Sequence, residues 1–113
     1  MSVPLTQALG PSGNHMEADD KFYERADGHI AFANVQCADV DSWHVAQSFL
    51  YGAARFNIFS IAWDCPTQEA LVRGREKIME STLENFREML AIHLDDYIEN
   101  FDDFILSKRD GTD

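Results

Sequence analysis

Cysteine, basic charge and long apolar runs are what this chain has little of. Of 113 residues only two are cysteines, Cys37 and Cys65. They lack the two-residue gap of a redox pair and the companions of a zinc site, so they read as two buried thiols at helix ends. Nine bases stand against 20 acids, a net charge of -11. A surface so negative repels phosphate, which argues against nucleic acid and anionic lipid as partners. The one tight basic group is Arg73, Arg75 and Lys77. The most apolar window, Val45 to Trp63, is interrupted by Gln47, Ser48, Arg55, Asn57 and Ser60, so it reads as a buried helix and not as a membrane span. No basic stretch followed by an apolar one opens the chain, so no signal peptide is expected, and the expected location is cytoplasmic. Glycine-rich phosphate loops are missing, since Gly74 stands alone between Arg73 and Arg75, and no cofactor is expected.

What is present is apolar content of 45%, ordinary for a globular protein and too high for a disordered one. It is spread unevenly. Residues 1–16 contain Pro4, Gly10, Pro11 and Gly13 and no formal charge before Glu17, so they read as a flexible leader. His15 before Met16 suits a vector junction or an upstream start, with the natural protein beginning near Met16. Residues 17–107 then form a single helical domain, and 108–113 a polar tail.

The fold expected is all-α, with three main helices. The first spans about 19–37, where Phe22, Ala26, Ile30, Ala33 and Cys37 make one apolar stripe, with Tyr23 and Phe32 beside it. Gly28 inside it weakens the helix by about 1 kcal/mol and would permit a close helix crossing. Asp39, Asp41 and Ser42 offer caps for a second helix over 42–63. That helix carries apolar residues on every side and needs cover on more than one, while Gly52, Ala53 and Ala54 keep its middle thin. Pro66 suits the first position of a third helix, over 66–107, capped by Asp64 or Cys65. Its apolar residues, among them Val72, Met79, Leu83, Phe86, Leu90 and Tyr97, repeat near every 3.5 residues. Unbroken, that helix would be about 60 Å long, more than a hairpin of the first two can cover. Either it breaks, near Gly74 or His93, or a second subunit covers the excess; a bundle completed by dimerisation is the expected arrangement.

Few residues suggest chemistry. His93 fills the one gap in the apolar seam, and Asp96 and Tyr97 share its face, so it reads first as a core-edge histidine with a carboxylate partner. As metal candidates His93 and Asp96 are weak, because the Glu-x-x-His pairs of di-iron bundles are missing. The closest pattern is Asp41-Ser42-Trp43-His44, whose aspartate suits the helix cap instead. The run Asp95, Asp96, Glu99, Asp102 and Asp103 reads as a solvated face without the glycine of a calcium loop. His29, with Glu24, Arg25 and Asp27, lies on a helix surface where solvent screens it. Tyr51, Arg55 and Asn57 interrupt an apolar helix and, with His93, are the candidate ligand-binding residues; Arg55 would otherwise pair with an acid of a neighbouring helix. Ser48 and Ser60 have no nucleophile motif around them, and no catalytic residue is assigned.

The segments Phe22-Tyr23-Glu24-Arg25-Ala26-Asp27, His29-Ile30-Ala31, Ala33-Asn34, Ser48 to Asn57, and Asp95 to Phe101 resemble those of a small family of proteobacterial proteins, a domain of unknown function. The resemblance takes in nearly everything after Asp20. It implies a short helical cytoplasmic domain in a bacterial protein and brings no catalytic residues with it. The leading functional reading is therefore a non-enzymatic interaction protein, a homodimer open to a further protein partner. It rests on a surplus of apolar side chains over what Glu17 to Asp113 can bury alone. The alternative is a small-ligand or metal-binding protein, an enzyme included, using Tyr51, Arg55, Asn57 and His93.

Overall fold

A computed structural model describes residues 19–110; the leader over 1–16 lies outside them. The chain is all-α, with three main helices: α1 (Phe22–Gln36), α2 (Ser42–Trp63) and α3 (Gln68–Glu99). A π-helical turn over Asp102–Leu106 and a last short helix, α4 (Ser107–Arg109), follow.

Each boundary has a local cause. The first helix begins three residues later than the sequence predicts, because Asp19 forms a turn. Its carboxylate accepts from the Lys21 N–H at 2.9 Å and its carbonyl accepts from Phe22 at 3.1 Å. Arg25 reaches back to the same carboxylate at 2.7 Å, which holds the Asp19 carboxyl below its ordinary range. Helix α1 closes at Cys37, whose N–H is shared between the Ala33 and Asn34 carbonyls, and tighter i to i+3 bonds from Ala38 and Asp39 end the turn. Asp41 then caps α2, as the pattern of short polar residues predicts, by accepting from the His44 N–H at 3.1 Å.

The third helix departs most from expectation. Its cap is Thr67, whose hydroxyl accepts from the Ala70 N–H at 3.1 Å, so Pro66 precedes the cap instead of opening the helix. Cys65 has no side-chain oxygen to serve a first turn at Pro66, and Thr67 does. Asp64 belongs to the end of α2, donating its N–H to Ile61 at 3.2 Å. At the other end the break falls at Asn100, beyond both Gly74 and His93. The Asn100 side-chain amide donates to the Asp96 carbonyl at 3.1 Å and to the Asp96 carboxylate at 2.8 Å. An amide folded back onto the last turn competes with helix propagation, and the chain resumes only through the wider π turn. Lys108 and Arg109, expected in a polar tail, instead lie in α4, with the Arg109 guanidinium 5.7 Å from the Phe101 ring centre.

Between elements the packing is thin. The Cα radius of gyration is 16.6 Å, against about 13 Å for a compact chain of this length. Helix α1 lies against α2, and the predicted stripe of Phe22, Ala26, Ile30, Ala33 and Cys37 is the half-buried face of α1. Val45 of α2, 5% exposed, and Asp27 of α1, 7% exposed, are the two buried residues among those described. The neighbour that Gly28 would make room for is not there, since a Cβ at that position would meet nothing within 4 Å. Gly52, in the thin middle of α2, has the same open surroundings. Cys37 and Cys65 are free and partly buried at the helix ends.

Candidate functional site

Tyr51 and Arg55, four residues apart, share one face of α2. Asn57, two residues further on, falls on the other side of the same helix. All three are solvent-exposed, as is His93 on α3. Arg55 has no ion pair among the described residues, contrary to the expected pairing with an acid of α1 or α3, because neither helix packs over that part of α2. A guanidinium left in water needs no counter-ion, so the polar interruptions of α2 cost nothing in a single chain.

Asp96 is occupied by Asn100, as described, and faces Tyr97 as the next residue. Burial, and second the Asp96 charge, push the Tyr97 phenol above its ordinary range. The Tyr97 ring packs edge-on to Phe104 at 4.9 Å, which ties the end of α3 to the π turn. Among the described residues no three of His, Cys, Asp and Glu come together as a metal cage. Nor, among those residues, is any helix long and apolar enough to cross a membrane. His44 approaches Asp41 at 2.9 Å through Nδ1, a contact that completes the α2 cap. The acids Asp95, Glu99, Asp102 and Asp103 are exposed, as expected of a solvated face.

Two residues that matter were not singled out by the pattern. Asp27, grouped with His29 on a helix surface, is in fact buried; it stands one turn from Tyr23 and Ile30 on the face that meets α2. Its position one residue past Ala26 on the stripe was the available signal. His29 itself is exposed, its ring 6.3 Å from Phe49 of α2. Asn100 is the other, and asparagine near the end of a long helical pattern is a recognised stop.

The surface that remains is apolar. Helix α3 has no buried residue, and Val72, Met79, Leu83, Phe86, Leu90 and Leu94 are all exposed along it. A shallow hollow of about 510 Å³ runs along this stripe, lined by Glu80, Leu83, Glu84, Phe86, Arg87 and Leu90, all from the one helix. It includes none of Tyr51, Arg55, Asn57 and His93. On α2, Trp43, Tyr51, Phe56, Phe59 and Trp63 are likewise exposed, Trp63 at 76%.

An all-α chain with one small hairpin contact, a long bare helix and no assembled polar centre defines a class by architecture and not by chemistry. Residues 22–98 match the family described as protein of unknown function DUF3144, and the chain belongs to that family. No curated protein and no solved structure shows significant similarity to it.

Proposed function

We propose that this chain is a non-enzymatic helical interaction protein of the bacterial cytoplasm that works as an assembled homodimer. One observation carries the reading: α3 has no buried residue, and Val72, Met79, Leu83, Phe86, Leu90 and Leu94 are exposed along it. Single exposed apolar residues are ordinary, but contiguous stripes on two long helices are the mark of a surface that another protein covers.

The polar candidates favour the same reading over a ligand site. Tyr51, Arg55 and Asn57 divide between two sides of α2, and small-molecule sites need polar groups that converge in a concavity. Sedimentation equilibrium of the full chain, supported by native mass spectrometry, tests the proposal. The expected mass is twice 12.8 kDa. A monomer that persists at high micromolar concentration would sink it, and a reproducible excess mass on the protein would move the weight to a bound ligand.

A further inference from the structure

We infer that residues 101–109 form a hinged arm. Asn100 is a single-residue hinge that takes the arm out of line with α3, and in the alternative, straight state α3 runs on unbroken to Arg109. The hinge lies within one copy and is independent of the dimer reading above.

The backbone isolates the hinge. Asn100 has φ -113° and ψ 29°, far from the values of about -63° and -42° of an α-helix. Beyond it Phe101, Leu106 and Ser107 lie in the right-handed helical region, and the arm is helical from Phe101 to Arg109. Main-chain bonds continue on both sides: the Asn100 N–H donates to the Asp96 carbonyl at 2.9 Å, and the Phe104 N–H donates to the Asn100 carbonyl at 2.9 Å. Hinges are residues at the ends of elements that absorb the change of φ and ψ between two arrangements of helical parts. Asn100 has that position and that departure, and its side chain is of the kind that competes with helix propagation.

Local contacts hold the arm where it is. The Asn100 amide grips Asp96 through both its carbonyl, at 3.1 Å, and its carboxylate, at 2.8 Å. The Phe104 ring lies 4.9 Å from Tyr97, and the Arg109 guanidinium 5.7 Å from Phe101. In a continuous α-helix Tyr97 and Phe104 would stand about 10 Å apart along the axis, and Phe101 and Arg109 about 12 Å apart and about 80° around it. Both ring contacts therefore belong to the broken form. The sequence supports the straight one: Tyr97, Phe101 and Phe104 follow steps of four and three, in continuation of the α3 repeat, and neither glycine nor proline occurs from Phe101 to Arg109. A straight helix from Gln68 to Arg109 would be about 63 Å long and would carry Phe101 and Phe104 in line with Tyr97. The arm thus sets how far the apolar face of α3 extends. Broken, it turns its aromatic side chains onto Tyr97 and Arg109; straight, it adds them to that face.

Two nitroxide labels in one chain, at Glu84→Cys and Asp110→Cys, both exposed positions, on a Cys37→Ser, Cys65→Ser background, read the state of the arm by pulsed electron resonance. An excess of unlabelled protein confines the measured distance to a single copy. A straight helix sets the two positions about 39 Å apart, and any bend at Asn100 brings them closer. The expected result is a shorter distance in the parent and a lengthening of at least about 5 Å, towards the straight value, in Asn100→Ala, which removes the amide and favours helix. A parent distance already at the straight value overturns the inference, and so does an Asn100→Ala distance equal to the parent's. If Asn100→Ala loses helix by far-UV dichroism, Asp96→Ala, which removes the carboxylate that the amide grips, is read in its place, and a distance unchanged from the parent's overturns the inference there too.

Discussion

The α1–α2 hairpin and α3 both carry regular apolar stripes and end in different states. In the hairpin the stripe of α1 is half-buried against α2, and the two buried residues of the described chain, Asp27 and Val45, both lie there. In α3 an equally regular stripe meets water along its length. The cause is geometric. Turns of five and four residues join the three helices alike, but α3 extends some 48 Å and outruns the 22-residue α2. A helix longer than its neighbours keeps its apolar face only if something outside the chain covers it. The hairpin supplies most of the tertiary packing among the described residues, and α3 supplies the apolar surface through which the proposed dimer would meet.

The largest effect that separates the two regions is expected in α3. Leu83→Asp combined with Leu90→Asp puts charge in the middle of the seam and should weaken the dimer by at least 100-fold, read as the dissociation constant in sedimentation equilibrium. Far-UV dichroism of the dissociated protein should fall as well, since a helix stripped of its packing partner is only marginally stable in water. If the double variant stays dimeric with unchanged affinity, α3 is not the contact and the contrast between the regions collapses. In the hairpin, Val45→Ala removes two methyl groups from the one buried apolar side chain among the described residues. It should cost about 1.5 kcal/mol in denaturant unfolding while leaving the dimer dissociation constant within twofold.

A smaller effect belongs to the start of α3. Thr67→Ala removes the hydroxyl that accepts from Ala70 and should cost about 1 kcal/mol. Thr67→Ser keeps the acceptor and should cost a few tenths of that. Should the two variants unfold alike, the cap is elsewhere, and Pro66 opens the helix as the pattern alone predicted.

That boundary shows how far the sequence could be read. Periodicity placed all three helices, found the α1 stripe residue for residue and set the limits of α2, because a 3.6-residue repeat and a capping aspartate are local signals. The exposed seam of α3 was also legible as a repeat. What the repeat could not reveal is that Ile78, Met89 and Ile92, about a third of a turn away, are among the partly shielded positions, since which stripe is covered depends on neighbours and not on the helix itself. The break at Asn100 escaped notice because the apolar spacing continues through Tyr97, Phe101 and Phe104, while the stop comes from one amide turning back onto Asp96. Asp27 escaped because burial of a carboxylate is set by packing across helices. Of the candidate site, the residues were readable and their relation was not: faces of α2 follow from helix arithmetic, but convergence in a pocket needs a third dimension.

The smallest effect lies at the turn inside the hairpin, where the Asp41 carboxylate accepts the His44 N–H and meets the His44 ring. The backbone hydrogen bond from His44, and next its side-chain contact, hold the Asp41 carboxyl below its ordinary value. A carboxyl whose folded value lies below the unfolded one prefers the charged form in the native state, so it stabilises at pH values above about 4 and that contribution fades as pH falls through the folded value. The cap should therefore hold at pH values above about 4 and loosen as pH falls through the folded value of Asp41. The His44 amide proton, followed by NMR against pH, should shift with the Asp41 titration and exchange faster below it. Asp41→Asn keeps an acceptor for the same N–H but cannot titrate, so its His44 amide should hold its protection into acid. If the variant and the parent lose protection together, some other carboxylate controls the first turn of α2, and the hairpin's stability at low pH must be traced to Asp19 with Arg25.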